Sequence, residues 1–391
     1  SNGGLTMDRA AAERPINIIE SGPAGGVVGA QAIADAKALE RIITFDMGGT
    51  TAKASMVEDG SVLRAQEYAV GAGIMIGSRL LSGAGYALKV PAIDLAEVGA
   101  GGGSLVRLDQ GGALQVGPQS AGAVPGPVCY AKGGETVTVT DANVVLGYLN
   151  QQHLVGGALP IDAERGRDAF KAQVAEPLGL AIEEAAHGAF RIAASNMIRA
   201  IRAVSSERGR DPRTFALFAF GGNGPLFACE MAKTLDMTRV VIPPSPGLFS
   251  AFGLLYADLE HHYSRTLRRV TQEADAAEIA AAWGELEDQA RTQLLADGVA
   301  AADMQVRRAA ALHYKGQSFE LVVPAPDGAI DKGFLDKLAD AFGAEHERVY
   351  GHRAGPEEPV ELVSMQVVAA SSADSGGVPE RVVPSRPEPE P

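Results

Sequence analysis

Six consecutive residues, Asp46-Met47-Gly48-Gly49-Thr50-Thr51, bring together the groups that bind a phosphate: one carboxylate, two glycines and two hydroxyls. Glycines let backbone N–H groups approach an anion closely, and threonine hydroxyls add donors. A carboxylate at a strand end can hold a hydrated magnesium ion or orient a water, so Asp46 is both the candidate catalytic residue and the candidate metal ligand. A tight hairpin with an acidic edge residue is the plain alternative, because short glycine motifs recur by chance. Two further clusters are candidates. In residues 97–104 (EVGAGGGS), the run Gly101-Gly102-Gly103 loses much conformational freedom on ordering, which calls for an unusual backbone path or a close ligand, unless the loop is simply flexible. Gly221-Gly222-Asn223-Gly224-Pro225 is too short for a P-loop and lacks its lysine, so a flat adenosine or ribose contact competes with close strand-to-helix packing. A cluster at 21–26 (SGPAGG) opens a helix, with Ser21 as its cap and Pro23 in its first turn.

The elements that must position these loops follow from apolar spacing. Residues 41–45 (RIITF) form a buried strand, 51–58 alternate as a second, Asp59-Gly60 is a hairpin turn, and 61–70 return as a third strand. Strand, glycine loop, strand differs from a P-loop or dinucleotide fingerprint, in which the loop opens a helix. Residues 105–108 and 114–117 pair across Gly111-Gly112. An amphipathic helix over 185–204 carries Phe190, Ala194, Met197, Ile201 and Val204 on one face. Strand 214–220, a helix from Pro225 to residue 235 and strand 239–242 make a βαβ unit, with its glycines at the carboxyl end of the first strand, where open α/β sheets bind ligands. Farther on, helices at 275–296 and 331–350, a strand or hairpin at 309–324 and a strand at 360–369 describe an α+β subdomain. The adjacent His261 and His262 point apart on either a helix or a strand, which disfavours a shared metal. Cys129 has no local base, and a small buried side chain is its default reading.

Composition narrows the function classes. The 391 residues suffice for two or three domains, and 34 basic against 48 acidic residues give a net charge of −14, which disfavours nucleic acid or an anionic membrane as partner. Two cysteines exclude a disulfide scaffold or a cysteine-rich zinc module and fit a reducing cytoplasm, and no apolar run approaches the ~18–20 residues of a membrane span. Forty-seven glycines in a chain that is 46% hydrophobic do not mark disorder, whereas residues 371–391, poor in apolar side chains, read as a disordered linker.

Together the segments resemble the hydantoinase A/5-oxoprolinase family, ATP-binding subunits also found in acetone and acetophenone carboxylases. The resemblance covers SGPAGGVVGA (21–30), TFDMGGTTAKA (44–54), EVGAGGGSL (97–105), VGPQSAGAVPGPVCYAKGG (116–134), TVTDANVVLGYL (138–149), AFGGNGPLFA (219–228), PPSPGLFSAFGLLYAD (243–258), YKGQSFEL (314–321) and HERVYGHR (346–353). It implies an α/β, actin-like ATPase (ribonuclease H-like) fold, with an actin-like domain over 1–265 and an added α+β C-terminal subdomain over 266–370. It further implies that Gly48, Gly49, Thr50 and Thr51 form the second phosphate loop, with Gly101, Gly102 and Gly103 also on phosphate and Gly221, Gly222, Asn223, Gly224 and Pro225 on adenosine. The Asp46 and Gly221 loops would then hold opposite ends of one nucleotide.

By the same resemblance the activity is ATP-dependent hydrolysis of a small cyclic amide, hydantoin or 5-oxoproline, through phosphorylation of the amide oxygen. ATP and Mg2+ (or Mn2+) are the implied cofactors, a hydantoinase B/oxoprolinase-type subunit the implied partner, and a cytoplasmic oligomer the implied setting. The alternatives are the beta-type subunit of an ATP-dependent ketone carboxylase and, in another class, a nucleotide-gated chaperone-like module; the motifs at 314–321 and 346–353 are alien to chaperones. Two departures stand out. The family's first phosphate loop has no counterpart in these residues, and Lys53 stands where many members carry aspartate, which speaks against a second metal ligand there and leaves phosphate contact by its ammonium as an alternative. The chain is therefore expected to be the central part of a longer subunit that turns over nothing by itself.

Overall fold

Strands covered on both faces must be apolar almost throughout, and two segments meet that requirement at the centre of the first unit. The computed structural model describes residues 2–13, 15–65, 68–70, 86–88, 92–355 and 357–371. The chain divides into one unit of Ser1–Gly3 and Asn17–Ala251 and another of Gly4–Ile16 and Phe252–Pro391. The first unit's principal strands are β1 (Arg41–Met47), β2 (Ala52–Glu58), β3 (Ala96–Val98), β4 (Ser104–Leu108), β5 (Leu114–Ser120), β6 (Ala216–Phe220) and β7 (Val240–Val241). Its main helices are α1 (Ser21–Ala36), α2 (Val139–Val145), α3 (Ile182–Val204) and α4 (Gly224–Thr234).

The sheet runs β7-β6-β1-β2. β1 is parallel to β6 and antiparallel to β2, and β6 is parallel to β7 through α4. Successive side chains on a strand point to opposite faces, so Ile43, Phe45, Met47, Leu217 and Ala219 share one core with α3 and α4. The five residues read as the apolar face of the long helix are all buried. On the other face Phe220 meets Phe218 and Phe249, and α1 packs there through Gly26.

Two local expectations change. Asp59 and Gly60 take positive φ (52° and 70°), as a two-residue hairpin requires, but only Ser61–Val62 pairs back on β2. The rest of that edge is occupied by β3, so Arg64–Ala65 turn aside to pair with Ala92–Ile93; residues 66–67 of the expected strand lie outside the described residues. Ser21 is not the cap of α1: its hydroxyl donates to Ile18 O (2.7 Å), and Glu20 takes the cap position.

The second unit is a four-stranded antiparallel sheet ordered β8 (Glu260–Val270), β11 (Val360–Ser371), β9 (Met304–Tyr314), β10 (Leu321–Pro324), with α5 (Ala276–Ala296) and α6 (Lys332–Tyr350) contributing to its core. Trp283 lies at the centre and donates from its indole to Gln366 O (3.3 Å). Residues 309–324 are thus a hairpin. Apart from Ser371, which ends β11, the linker expected over 371–391 lies outside the described residues. Among the described residues no helix is long and apolar enough to cross a membrane.

Candidate functional site

The register of two parallel strands builds the site. β1 and β6 pair with Asp46 opposite Phe220, so the loops that leave their carboxyl ends, 48–51 and 221–223, emerge side by side. Asn223 secures the junction: its backbone N–H donates to Met47 O (3.0 Å) and its side-chain amide to Gly48 O (3.2 Å). Gly221 has φ +81°, its N–H donates to Pro246 O (2.9 Å), and a Cβ added there would run into the Asp46 carboxylate and stand 2.5 Å from Met47 O. Gly224 and Pro225 form the first turn of α4.

Gly221 and Asn223 touch the Asp46 loop and brace it. In the 221–225 segment, only Gly222 is exposed, with open space where its side chain would be.

The triple glycine lies beneath the same loop. Gly102 N–H donates to Gly48 O (3.1 Å) and Gly103 N–H to Gly49 O (2.7 Å), while Gly101 N–H donates to Ser104 Oγ (2.9 Å). A Cβ on Gly101 would sit 2.5 Å from Thr50 N, so backbone packs on backbone here and only glycine fits. Thr140 then holds Gly102 O through its N–H (2.8 Å) and its hydroxyl (2.9 Å). Gly101, Gly102 and Gly103 are all buried and their amides are engaged within the protein, so they form a platform, and the exposed residues of the phosphate-type loop are Gly49 and Thr50. No atom lies within 4 Å of the positions that side chains on Gly48 and Gly49 would take, which leaves that side of the loop open.

Asp46 is partly buried, and that burial pushes its carboxyl above the ordinary aspartate range, opposed by a hydrogen bond from Ser250 and the charge of Lys53. Ser250 Oγ donates to Asp46 Oδ2 (3.2 Å). Lys53 stands opposite Asp46 in the β1–β2 register. Its ammonium is held by Glu20 (2.6 Å) and Glu97 (3.5 Å).

Ser250, Glu20, Glu97, Thr140 and Ser104 escape sequence reasoning. Ser250 left one trace, a lone hydroxyl in the apolar run LFSAFGLL, whereas the carboxylates at Glu20 and Glu97 are ordinary in type and far apart in sequence.

Elsewhere, His261 faces Asp297 (2.5 Å) and His262 faces Glu260 (3.0 Å), so the histidine pair engages separate carboxylates. Cys129 is buried, and burial together with the nearby Asp141 charge pushes its thiol far above the reactive range. Among the described residues no group of three or more His, Cys, Asp or Glu side chains could hold a metal ion. A magnesium ion commonly binds through one or two carboxylates plus phosphate oxygens and water, so a single hard oxygen donor beside an open glycine and threonine loop fits such an ion together with its phosphates.

A mixed α/β sheet with paired loops at the carboxyl ends of its parallel strands, carrying an α+β unit, defines an actin-like ATPase fold. The chain belongs to the hydantoinase/oxoprolinase family: the Hydantoinase/oxoprolinase model matches residues 1–263 and the Hydantoinase/oxoprolinase C-terminal domain model residues 267–375. An uncharacterized protein of Methanocaldococcus jannaschii is 42% identical over 94% of this chain and 52% of its own length. Caprolactamase subunit alpha of Pseudomonas jessenii is 34% identical over 98% of this chain and 54% of its own. The crystal structure of the ATP-dependent caprolactamase from that organism superposes with a TM-score of 0.79 at 33% identity, over 94% of this chain and 52% of the solved one. Acetone carboxylase beta subunit of Xanthobacter autotrophicus is 33% identical over 95% of this chain and 51% of its own. The chain thus spans about half the length of the curated relatives it matches.

Proposed function

We propose that the full subunit to which this chain corresponds uses ATP to open a small cyclic amide of the hydantoin or 5-oxoproline type, together with a B-type subunit in the cytoplasm. An unstrained lactam resists water, and turning its carbonyl oxygen into a phosphate ester provides a leaving group. The observation that carries the reading is the open loop of Gly48, Gly49, Thr50 and Thr51 around Asp46, buttressed from below and from the side, in a chain whose relatives include an ATP-dependent caprolactamase.

In this reading the Thr50 and Thr51 hydroxyls and the outer backbone of the loop bind phosphate oxygens. Gly222 is the residue of the 221–225 segment that reaches the nucleoside. Asp46 holds a magnesium or manganese ion or orients a water, and such an ion, when bound, neutralises charge on the phosphates. Gly101, Gly102, Gly103, Gly221 and Asn223 keep the loop in place, so that no reorganisation is needed as charge develops. In the same reading the nucleotide-binding domain extends to about residue 265 and an α+β subdomain follows over 266–370.

The test is ADP release by the full subunit co-expressed with its B-type partner, screened against hydantoins, 5-oxoproline, caprolactam, and ketones with bicarbonate. Lactam-dependent release that falls at least about 100-fold in Asp46→Asn supports the proposal. Unchanged rates in that variant remove Asp46 from the site. Release that requires ketone and bicarbonate favours the second reading, ketone carboxylation, for which the acetone carboxylase relative speaks.

A further inference from the structure

Resting on that reading of Asp46, we propose that Ser250 is its positioning residue, and that the glycine at position 26 exists to seat Ser250. Ser250 Oγ donates to Asp46 Oδ2 at 3.2 Å from the short helix Phe249–Gly253, which leaves Oδ1 on the side of Gly221. The carboxylate is therefore confined from two directions by two distant segments of chain. Behind the serine, α1 closes directly: a Cβ on Gly26 would meet the Phe220 ring and come to 2.9 Å from Ser250 Oγ. Phe220 in turn packs on Phe249, the residue before Ser250, with ring centroids 5.0 Å apart.

The absence of a side chain at position 26 thus leaves the space that the Ser250 hydroxyl needs beside α1. The motifs at 219–228 and 243–258 both reach the Asp46 carboxylate, Ser250 as its hydrogen-bond donor, and the motif at 21–30 packs behind Ser250. The function of Ser250 is to fix the direction in which Asp46 presents its oxygens to a cation.

The test uses the full subunit with its partner and measures affinity for a non-hydrolysable ATP analogue by calorimetry, with Mn2+ and without metal, in wild type, Ser250→Ala, Asp46→Asn and the double variant. Loss of a hydrogen bond to a charged group predicts about ten-fold weaker Mn2+-dependent binding in Ser250→Ala. Metal-free affinity and melting temperature stay close to wild type, and Ser250→Ala has no further effect in the Asp46→Asn background.

Additive effects of the two substitutions overturn the proposal, because Ser250 would then act independently of Asp46. So does an equal loss with and without metal, which marks a merely structural role. An effect of Asp46→Asn with none of Ser250→Ala overturns this inference alone. No effect of Asp46→Asn on metal-dependent binding overturns the metal-holding role of Asp46 and this inference with it.

Discussion

Gly221 and Gly222 are neighbours of the same type with opposite requirements. Gly221 sits at φ +81° with its missing side chain aimed at the Asp46 carboxylate, whereas Gly222 is exposed with no atom within 4 Å of its missing Cβ. Gly221→Ala therefore adds backbone strain and a clash, and should lower unfolding free energy by about 2 kcal/mol or more. Gly222→Ala should stay within about 0.5 kcal/mol of wild type. Urea midpoints of the two variants decide the matter; equal midpoints would mean that the loop relaxes freely and does not brace Asp46. If Gly222 meets the nucleoside, its substitution shows in nucleotide affinity while stability stays level.

At the scale of elements, the site depends on a helix that never touches Asp46. α2 is held by a capping box between Thr138 and Asp141, and the Asp141 carboxylate accepts from Cys129 N (2.8 Å), Val128 N (3.3 Å), Thr138 N (2.7 Å) and Thr138 Oγ1 (2.8 Å). One residue along, Thr140 grips Gly102 and so fixes the glycine platform. Asp141→Ala would orphan several buried donors and should destabilise the protein by about 3 kcal/mol or more, seen as a lower melting temperature. A shift of under about 1 kcal/mol would show that the turn at 128–130 reforms without it.

Elements of this kind were largely legible in the sequence. Alternation and turn chemistry located β1, β2, the Asp59-Gly60 turn, the β4–β5 hairpin, α3 and the β6–α4–β7 unit, because each is decided by neighbours in the chain. What spacing could not show was where separate loops meet. The Gly101–Gly103 run reads locally as either a ligand loop or a flexible one, and its hydrogen-bond partners at 48–49 lie outside any local window. The carboxylate partners of Lys53, Glu20 and Glu97, come from two other segments and leave no mark in its local sequence. The strand expected over 61–70 was cut short by competition for the β2 edge, which is a tertiary effect.

At the scale of the whole molecule, the second unit draws on both early and late parts of the chain. Leu5 forms a parallel bridge with Leu259, through Leu5 N–H to Asp258 O (2.7 Å) and Glu260 N–H to Leu5 O (3.3 Å). The sole tryptophan, Trp283, lies in this unit's core and provides a local probe of its unfolding. Deleting residues 2–7 should lower the fluorescence-detected unfolding free energy by about 1–2 kcal/mol, the worth of two backbone hydrogen bonds. An unchanged midpoint would make the Leu5 bridge incidental to this unit.

That bridge also sets an order of events during synthesis. Leu5 leaves the ribosome well before its partner, which appears only after residues 17–251 of the first unit have been translated. Closing so long a loop adds little equilibrium cost, because the entropy grows only with the logarithm of loop length. It does impose a wait, during which the exposed edge at Leu5 has no native partner and the first unit's sheet can already be complete. Slow translation across 252–260 would prolong that wait, and chaperone binding to the nascent segment around Leu5 is where the cell would register it.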